Sequence, residues 1–90
     1  MEFEYDPSRS QLNEIKHHTN FDKAKLLWAD EDRIIIPAKS DTEERYAILA
    51  QLDGQIWTAF YTIRGDSIRI ISVRRARDYE KQLYDSGKTG

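Results

Sequence analysis

Five arginines fall within residues 64–77, at positions 64, 69, 74, 75 and 77, with Asp66 as the one acid among them. The segment therefore carries a local charge of +4 in a chain of formal charge −2, which leaves −6 for the remaining residues. A guanidinium stays charged at any physiological pH, and its planar fork binds phosphate oxygens two at a time. Charge focused in this way points to one anionic site instead of a generally basic surface. The ordinary alternative is that these arginines are a solvated strand edge and helix start.

Groups able to move protons lie elsewhere, in Lys16 and His17 near the end of a first helix and in Glu44 at the opening of a strand. An imidazole changes charge near neutral pH, and a perturbed carboxylate or lysine can do the same. Arg, Lys, His and Glu together suffice for cutting RNA. Its 2′-hydroxyl attacks the adjacent phosphorus, so a protein need supply only a base, an acid and fixed positive charge. Exposed tyrosines beside such a cluster could stack on splayed bases.

Other chemistries lack their residues. There is no cysteine, and the two histidines are adjacent at positions 17 and 18. Neighbours on a helix point about 100° apart and cannot readily chelate one ion, so no metal site is expected. The four glycines, at 54, 65, 87 and 90, sit in turn or tail positions and form no phosphate loop. No cofactor is expected. Nor is the helix arrangement of a DNA-reading repressor evident.

The elements that must hold these groups follow from periodicity and punctuation. EFEY (residues 2–5) alternates as a short strand, and Asp6-Pro7 is a helix start that carries α-helix to about His17, with Leu12 and Ile15 turned inward. Asn20 caps a second helix whose Phe21, Ala24, Leu27 and Trp28 form one apolar stripe. Arg33–Ile36 reads as a strand ended by Pro37, and residues 38–42 as a loop. Asp53-Gly54 joins strands 43–52 and 55–63 in a hairpin, and Arg64-Gly65-Asp66 turns the chain into a last strand, 67–73. In that strand simple alternation puts Ile68 and Ile70 with Ser72 on one face, and Arg69, Ile71 and Val73 on the other. From about Arg75 the spacing of Ala76, Tyr79 and Leu83 predicts a helix closed by Gly87, with a polar tail from about residue 86.

These elements predict an α+β sandwich, a mostly antiparallel sheet with its helices grouped on one side. Ninety residues suit one domain over the whole chain, 1–90, burying about 60 to 65 per cent of its unfolded surface. No apolar run approaches the ~20 residues that span a membrane, and MEFEYDPSR lacks the pattern of a secretion signal. A cytoplasmic location is expected.

Taken together, EFEYDPSR, Lys16-His17 with Phe21 and Ala24, Glu44-Arg45, and above all T-x-R-G-D-x-I-R-I-I-S-x-R-R-A from Thr62 to Ala76, followed by Glu80 and Tyr84, resemble the BrnT family. These are ribonuclease toxins of BrnT-BrnA type II toxin-antitoxin modules. The resemblance covers nearly the whole chain. It departs from the family pattern at His18 and Ala50, where glycines are usual. It implies a RelE-like fold of two layers, with two N-terminal helices on one face and a C-terminal helix. It further implies an endoribonuclease acting on messenger RNA, free or on the ribosome, and a BrnA-like antitoxin partner whose complex with the toxin binds operator DNA.

On that reading Lys16, His17, Glu44, Arg69 and Arg74 are the candidate catalytic residues, and Arg64, Arg75 and Arg77 the candidate RNA-binding residues. Each also has an ordinary structural use. Arg69 can form a salt bridge across the sheet to Glu44, Arg74 and Arg75 can cap a helix, and Lys16 and His17 suit a helix C-terminus electrostatically. A non-catalytic RNA- or protein-binding module on the same scaffold is the competing reading.

Overall fold

The computed structural model describes residues 2–89. In chain order the elements are β1 (Glu2–Glu4), α1 (Pro7–His17), α2 (Phe21–Ala24) running into a 3₁₀ segment (Lys25–Ala29), β2 (Ile34–Ala38), β3 (Arg45–Leu52), β4 (Gln55–Arg64), β5 (Ser67–Arg75) and α3 (Asp78–Thr89). The strands form one mixed sheet in the order β1-β5-β4-β3-β2, with β1 parallel to β5 and the other neighbours antiparallel. The α+β class and the β3–β5 meander are as expected. Asp53 and Gly54 hold φ of 53° and 77°, the two positive angles that a type I′ turn needs.

One face of the sheet makes the main core. Ile48, Ala50, Ala59, Tyr61, Ile68, Ile70 and Val73 pack on Phe21, Ala24 and Leu27, the stripe expected of the second helix. Phe21 and Leu27 are completely enclosed, and each such side chain contributes about 1.5–3 kcal/mol through burial. Trp28 closes one end, with its ring edge-on to both Phe3 and Tyr61 at 5.1 Å.

The first helix starts as its sequence demands, with Asp6 Oδ1 accepting the Ser8 N–H at 2.9 Å and Pro7 in the first turn. Its inward face differs from expectation. Leu12 and Ile15 are 57% and 75% exposed, and the buried residues are Ser10 and Asn13. The cause is the shortness of β1. That strand stops at Glu4, opposite Arg69, so the outer edge of β5 beyond Arg69 has no strand to pair with. Polar side chains from α1 serve instead. Asn13 Oδ1 accepts the Val73 N–H at 3.0 Å while its Nδ2 donates to the Thr19 carbonyl at 2.8 Å, and Ser10 Oγ accepts the Phe21 N–H at 2.9 Å.

A β-bulge corrects the facing of the last strand. Phe60 pairs with Ser72 and Tyr61 with Ile70, so Ile71 is the extra residue. Past it the alternation is reset, and Val73 joins Ile68 and Ile70 in the core while Ser72 shares the opposite face with Arg69. Further along the sheet, Pro37 lies within β2 instead of ending it, and Ala38 belongs to the strand rather than to the loop. That placement is tolerated because β2 is an edge strand, where the missing N–H removes no ladder bond.

The C-terminal helix also departs from expectation. It begins at Asp78, and Glu80 and Tyr84 are its buried residues, whereas Tyr79 and Leu83 are exposed. Gly87 lies inside it. A Cβ there would fall 2.7 Å from Ile34 Cδ1, so glycine allows the close approach of α3 to β2. The helix runs through residues 86–89 in place of a tail, and Gly90 lies outside the described residues. Ile34, Leu49 and Thr58 lie in register across three strands, and Glu80 meets Thr58 from above. Helix α3 therefore covers the face opposite the main core, and the helices are not all grouped on one side.

Glu80 anchors that second face. Its carboxylate accepts two hydrogen bonds from Arg74, at 2.7 and 3.0 Å, one from the Thr58 hydroxyl at 3.0 Å and one from the Arg77 N–H at 2.8 Å. Burial alone would push the carboxyl up. The Arg74, Arg77 and Thr58 hydrogen bonds and the Arg74 charge outweigh it and hold Glu80 below the ordinary carboxylate value. A depressed folded pKa stabilises the fold above the unfolded value and loses that contribution as pH falls through the folded one. Glu80→Gln is thus expected to cost about 3 kcal/mol in urea unfolding at neutral pH. The same variant should flatten the acid limb of stability below about pH 4.5.

His18 ends α1 in the left-handed region, at φ 62° and ψ 24°, with its N–H on the Glu14 carbonyl. A side chain there is strained where glycine is not. His18→Gly should raise stability by about 0.5–1 kcal/mol, read from the urea midpoint.

Candidate functional site

Register determines which arginines share the face opposite the main core. Arg69 pairs with Thr62, and Arg64, two residues beyond Thr62, points the same way. Arg45 precedes the Tyr46–Tyr61 pair by one residue, so it falls level with Thr62 on that face. Helix α1 contributes Arg9, which shares one stripe with Asn13 and Lys16 at i, i+4 and i+7. Because Asn13 is tied to the edge of β5, the whole stripe is turned towards that edge. Arg9, Arg45, Arg64 and Arg69 consequently line one cavity of about 270 Å³, together with Asp6, Glu43, Ile70 and Ile71.

A second cavity, of about 240 Å³, shares Arg9 and Ile71 with the first and adds Lys16, His17 and Ser72. The two adjoin around Arg9, below the bulge in β5. They form a trough with guanidinium groups at one end and the Lys16-His17 pair at the other.

The ion pairs in and beside the trough are loose. Arg45 Nε lies 3.4 Å from Glu43 Oε1, and Arg69 Nη1 lies 3.8 Å from Glu4 Oε1. Both exceed the about 2.7–2.9 Å of a strong charge-assisted bond. All four side chains are between 32% and 42% exposed, and pairs this accessible are worth about 0–1 kcal/mol. A phosphate can displace them. Arg74, gripped by buried Glu80, is in the opposite condition.

The eight expected residues are divided among several places. Arg64 and Arg69 stand in the arginine cavity, and Lys16 and His17 in the adjoining one. Arg74 is on the same face but is held by Glu80 and lies 5.2 Å over the Phe60 ring. Arg75 pairs with Trp57 and lies 5.5 Å over its ring, on the opposite face of the sheet. Arg77 is exposed before α3, giving its N–H to Glu80. Glu44 is turned away from the arginine cavity. Its carboxylate accepts the Tyr46 hydroxyl at 3.1 Å, a contact that pushes the Tyr46 phenol up. The two cavities thus hold four of the eight expected residues and add Arg9, Arg45 and Glu43. Arg45 was findable, because Glu44 and Arg45 face opposite ways in an extended chain. Arg9 needed the polar stripe of α1 to be recognised as the inward one.

With four arginines and two acids in its wall, the cavity keeps a net positive charge. It can hold the oxygens of a phosphodiester and steer a polyanion towards them. A protein-family model for BrnT, the ribonuclease toxin of type II toxin-antitoxin systems, matches residues 5–80. No curated protein matches the chain. The matched stretch contains the whole lining of both cavities, and the chain belongs to the BrnT family of ribonuclease toxins.

Proposed function

We propose that the chain is a metal-independent endoribonuclease that cleaves messenger RNA by attack of the 2′-hydroxyl on the adjacent phosphorus. Arg9, Arg45, Arg64 and Arg69 bind the phosphodiester and stabilise the charge that builds on its non-bridging oxygens. Lys16 and His17, in the adjoining cavity, contact the neighbouring nucleotide and supply mobile protons. The observation that carries this reading is the convergence of four guanidinium groups on one cavity, with only loose acidic partners to displace. In this reading the 2′-hydroxyl is an internal nucleophile and the arginines bring the fixed positive charge that a metal ion would otherwise supply.

The remaining assignments accompany this one. The layout is read as RelE-like, the protein as cytoplasmic, and the partner as a BrnA-like antitoxin that covers the trough and takes the complex to operator DNA. No helix among the described residues is long and apolar enough to cross a membrane.

The direct test is incubation of the purified, antitoxin-free chain with messenger RNA in chelator, with and without ribosomes. Cleavage is expected in at least one arm, and its absence in both refutes the reading. Arg69→Ala should reduce the cleavage rate about 10²-fold, while Arg75→Ala, on the other face, should leave it near wild type.

A second reading, a binding module without catalysis, draws on the separation of Lys16 and His17 from the arginine cavity. It requires Arg69→Ala to weaken RNA binding in a wild-type protein that never cuts. Loss of a phosphate contact lowers the slope of log affinity against log salt by about 1, so a salt titration of the Arg9→Ala and Arg69→Ala variants shows whether each arginine binds backbone.

A further inference from the structure

The arginine cavity has two carboxylates in its wall, Asp6 and Glu43, and only one is available for chemistry. Asp6 is committed to the helix, since its Oδ1 accepts the Ser8 N–H at 2.9 Å at the start of α1. Glu43 has no such duty. It precedes β3 by two residues, at the end of a bend, and its side chain lines the cavity beside those of Arg45 and Arg69. Its backbone is steadied by its N–H on Ser40 Oγ at 3.4 Å. Its carboxylate meets Arg45 at Nε, 3.4 Å away, which leaves the terminal nitrogens of that guanidinium for phosphate. Glu44, one residue on, faces away towards Tyr46.

We propose that Glu43 is the general base of the arginine cavity. The assignment rests on the ribonuclease reading above. In the step, the 2′-hydroxyl proton passes to a Glu43 carboxylate oxygen as the 2′-oxygen bonds to phosphorus. The bond from phosphorus to the 5′-oxygen breaks with its electron pair on that oxygen, which takes a proton from the Lys16-His17 end of the trough. A 2′,3′-cyclic phosphate and a 5′-hydroxyl result, and Glu43 returns its proton through water to the group that gave one up. Arg45 has two tasks here. It orients the base through Nε and offers its outer nitrogens to the phosphoryl oxygens, which places the proton acceptor within reach of the nucleophile's neighbour.

The structure also frames the competing role for the same residue, that of a counter-ion which merely screens Arg45. The two roles predict opposite results for Glu43→Gln. A base variant binds but does not cut, whereas a counter-ion variant binds more tightly and cuts as well or better. The experiment compares wild type, Glu43→Gln and Glu44→Gln on a short RNA that wild type cleaves, and measures binding to the same RNA with a 2′-deoxy nucleotide at the cut. Glu44→Gln makes the identical change of charge one residue away and outside the cavity.

Glu43→Gln is expected to slow single-turnover cleavage about 10²-fold or more, with affinity for the deoxy analogue changed by less than about 2-fold. Glu44→Gln should cut at close to the wild-type rate, and thermal unfolding of both variants should match wild type because both side chains are accessible. Undiminished cleavage by Glu43→Gln, or equal slowing in Glu44→Gln, overturns the assignment while leaving the ribonuclease reading intact. A wild type that cuts no RNA overturns both.

Discussion

The arrangement depends on one side chain. Asn13 accepts a backbone N–H from β5 and donates to the carbonyl that leads into α2, so a single amide joins the sheet, the first helix and the turn between helices. An unpaired buried donor or acceptor costs about 1–3 kcal/mol, and β5 would have one at Val73 if α1 lay elsewhere. The helix is therefore fixed along the sheet edge by polar satisfaction instead of by an apolar stripe. Its position carries Arg9 and Lys16 to the edge of the trough, four residues before and three after Asn13.

The same reliance on distant partners separates what is legible in the sequence from what is not. Local signals sufficed for Asp6-Pro7, for Asp53-Gly54 and for the Phe21, Ala24 and Leu27 stripe, because each is governed by backbone chemistry or periodicity within a few residues. Leu12 and Ile15 misled because apolar spacing normally marks the inward face of a helix, and here the deciding partner, Val73, is 60 residues away. The same distance problem hid the bulge at Ile71, which exists only in relation to Phe60 and Tyr61. Of the site, the β5 arginines were legible as a charge cluster. Which of them share a face was not, since that depends on register and on the bulge.

The arginines that look alike in sequence have become different objects in the fold. Arg74 is a structural cation, fixed by two bonds to a carboxylate that is 2% exposed. Arg75 lies against an indole on the far side. Arg69 is tethered at 3.8 Å to an accessible glutamate and can exchange that partner. The distinction follows from desolvation. A buried pair cannot be broken without stranding a charge, and an exposed pair yields to any stronger anion.

The edge strand β2 carries a last implication, through Pro37. Beyond β2 the sheet has no further strand among the described residues, and an uncovered border of this kind is a template on which chains polymerise. A residue without an N–H interrupts that template near its end, so a foreign strand docking alongside would forfeit a rung of its ladder. The fold thus blunts the one border on which copies of the chain could otherwise stack through β2.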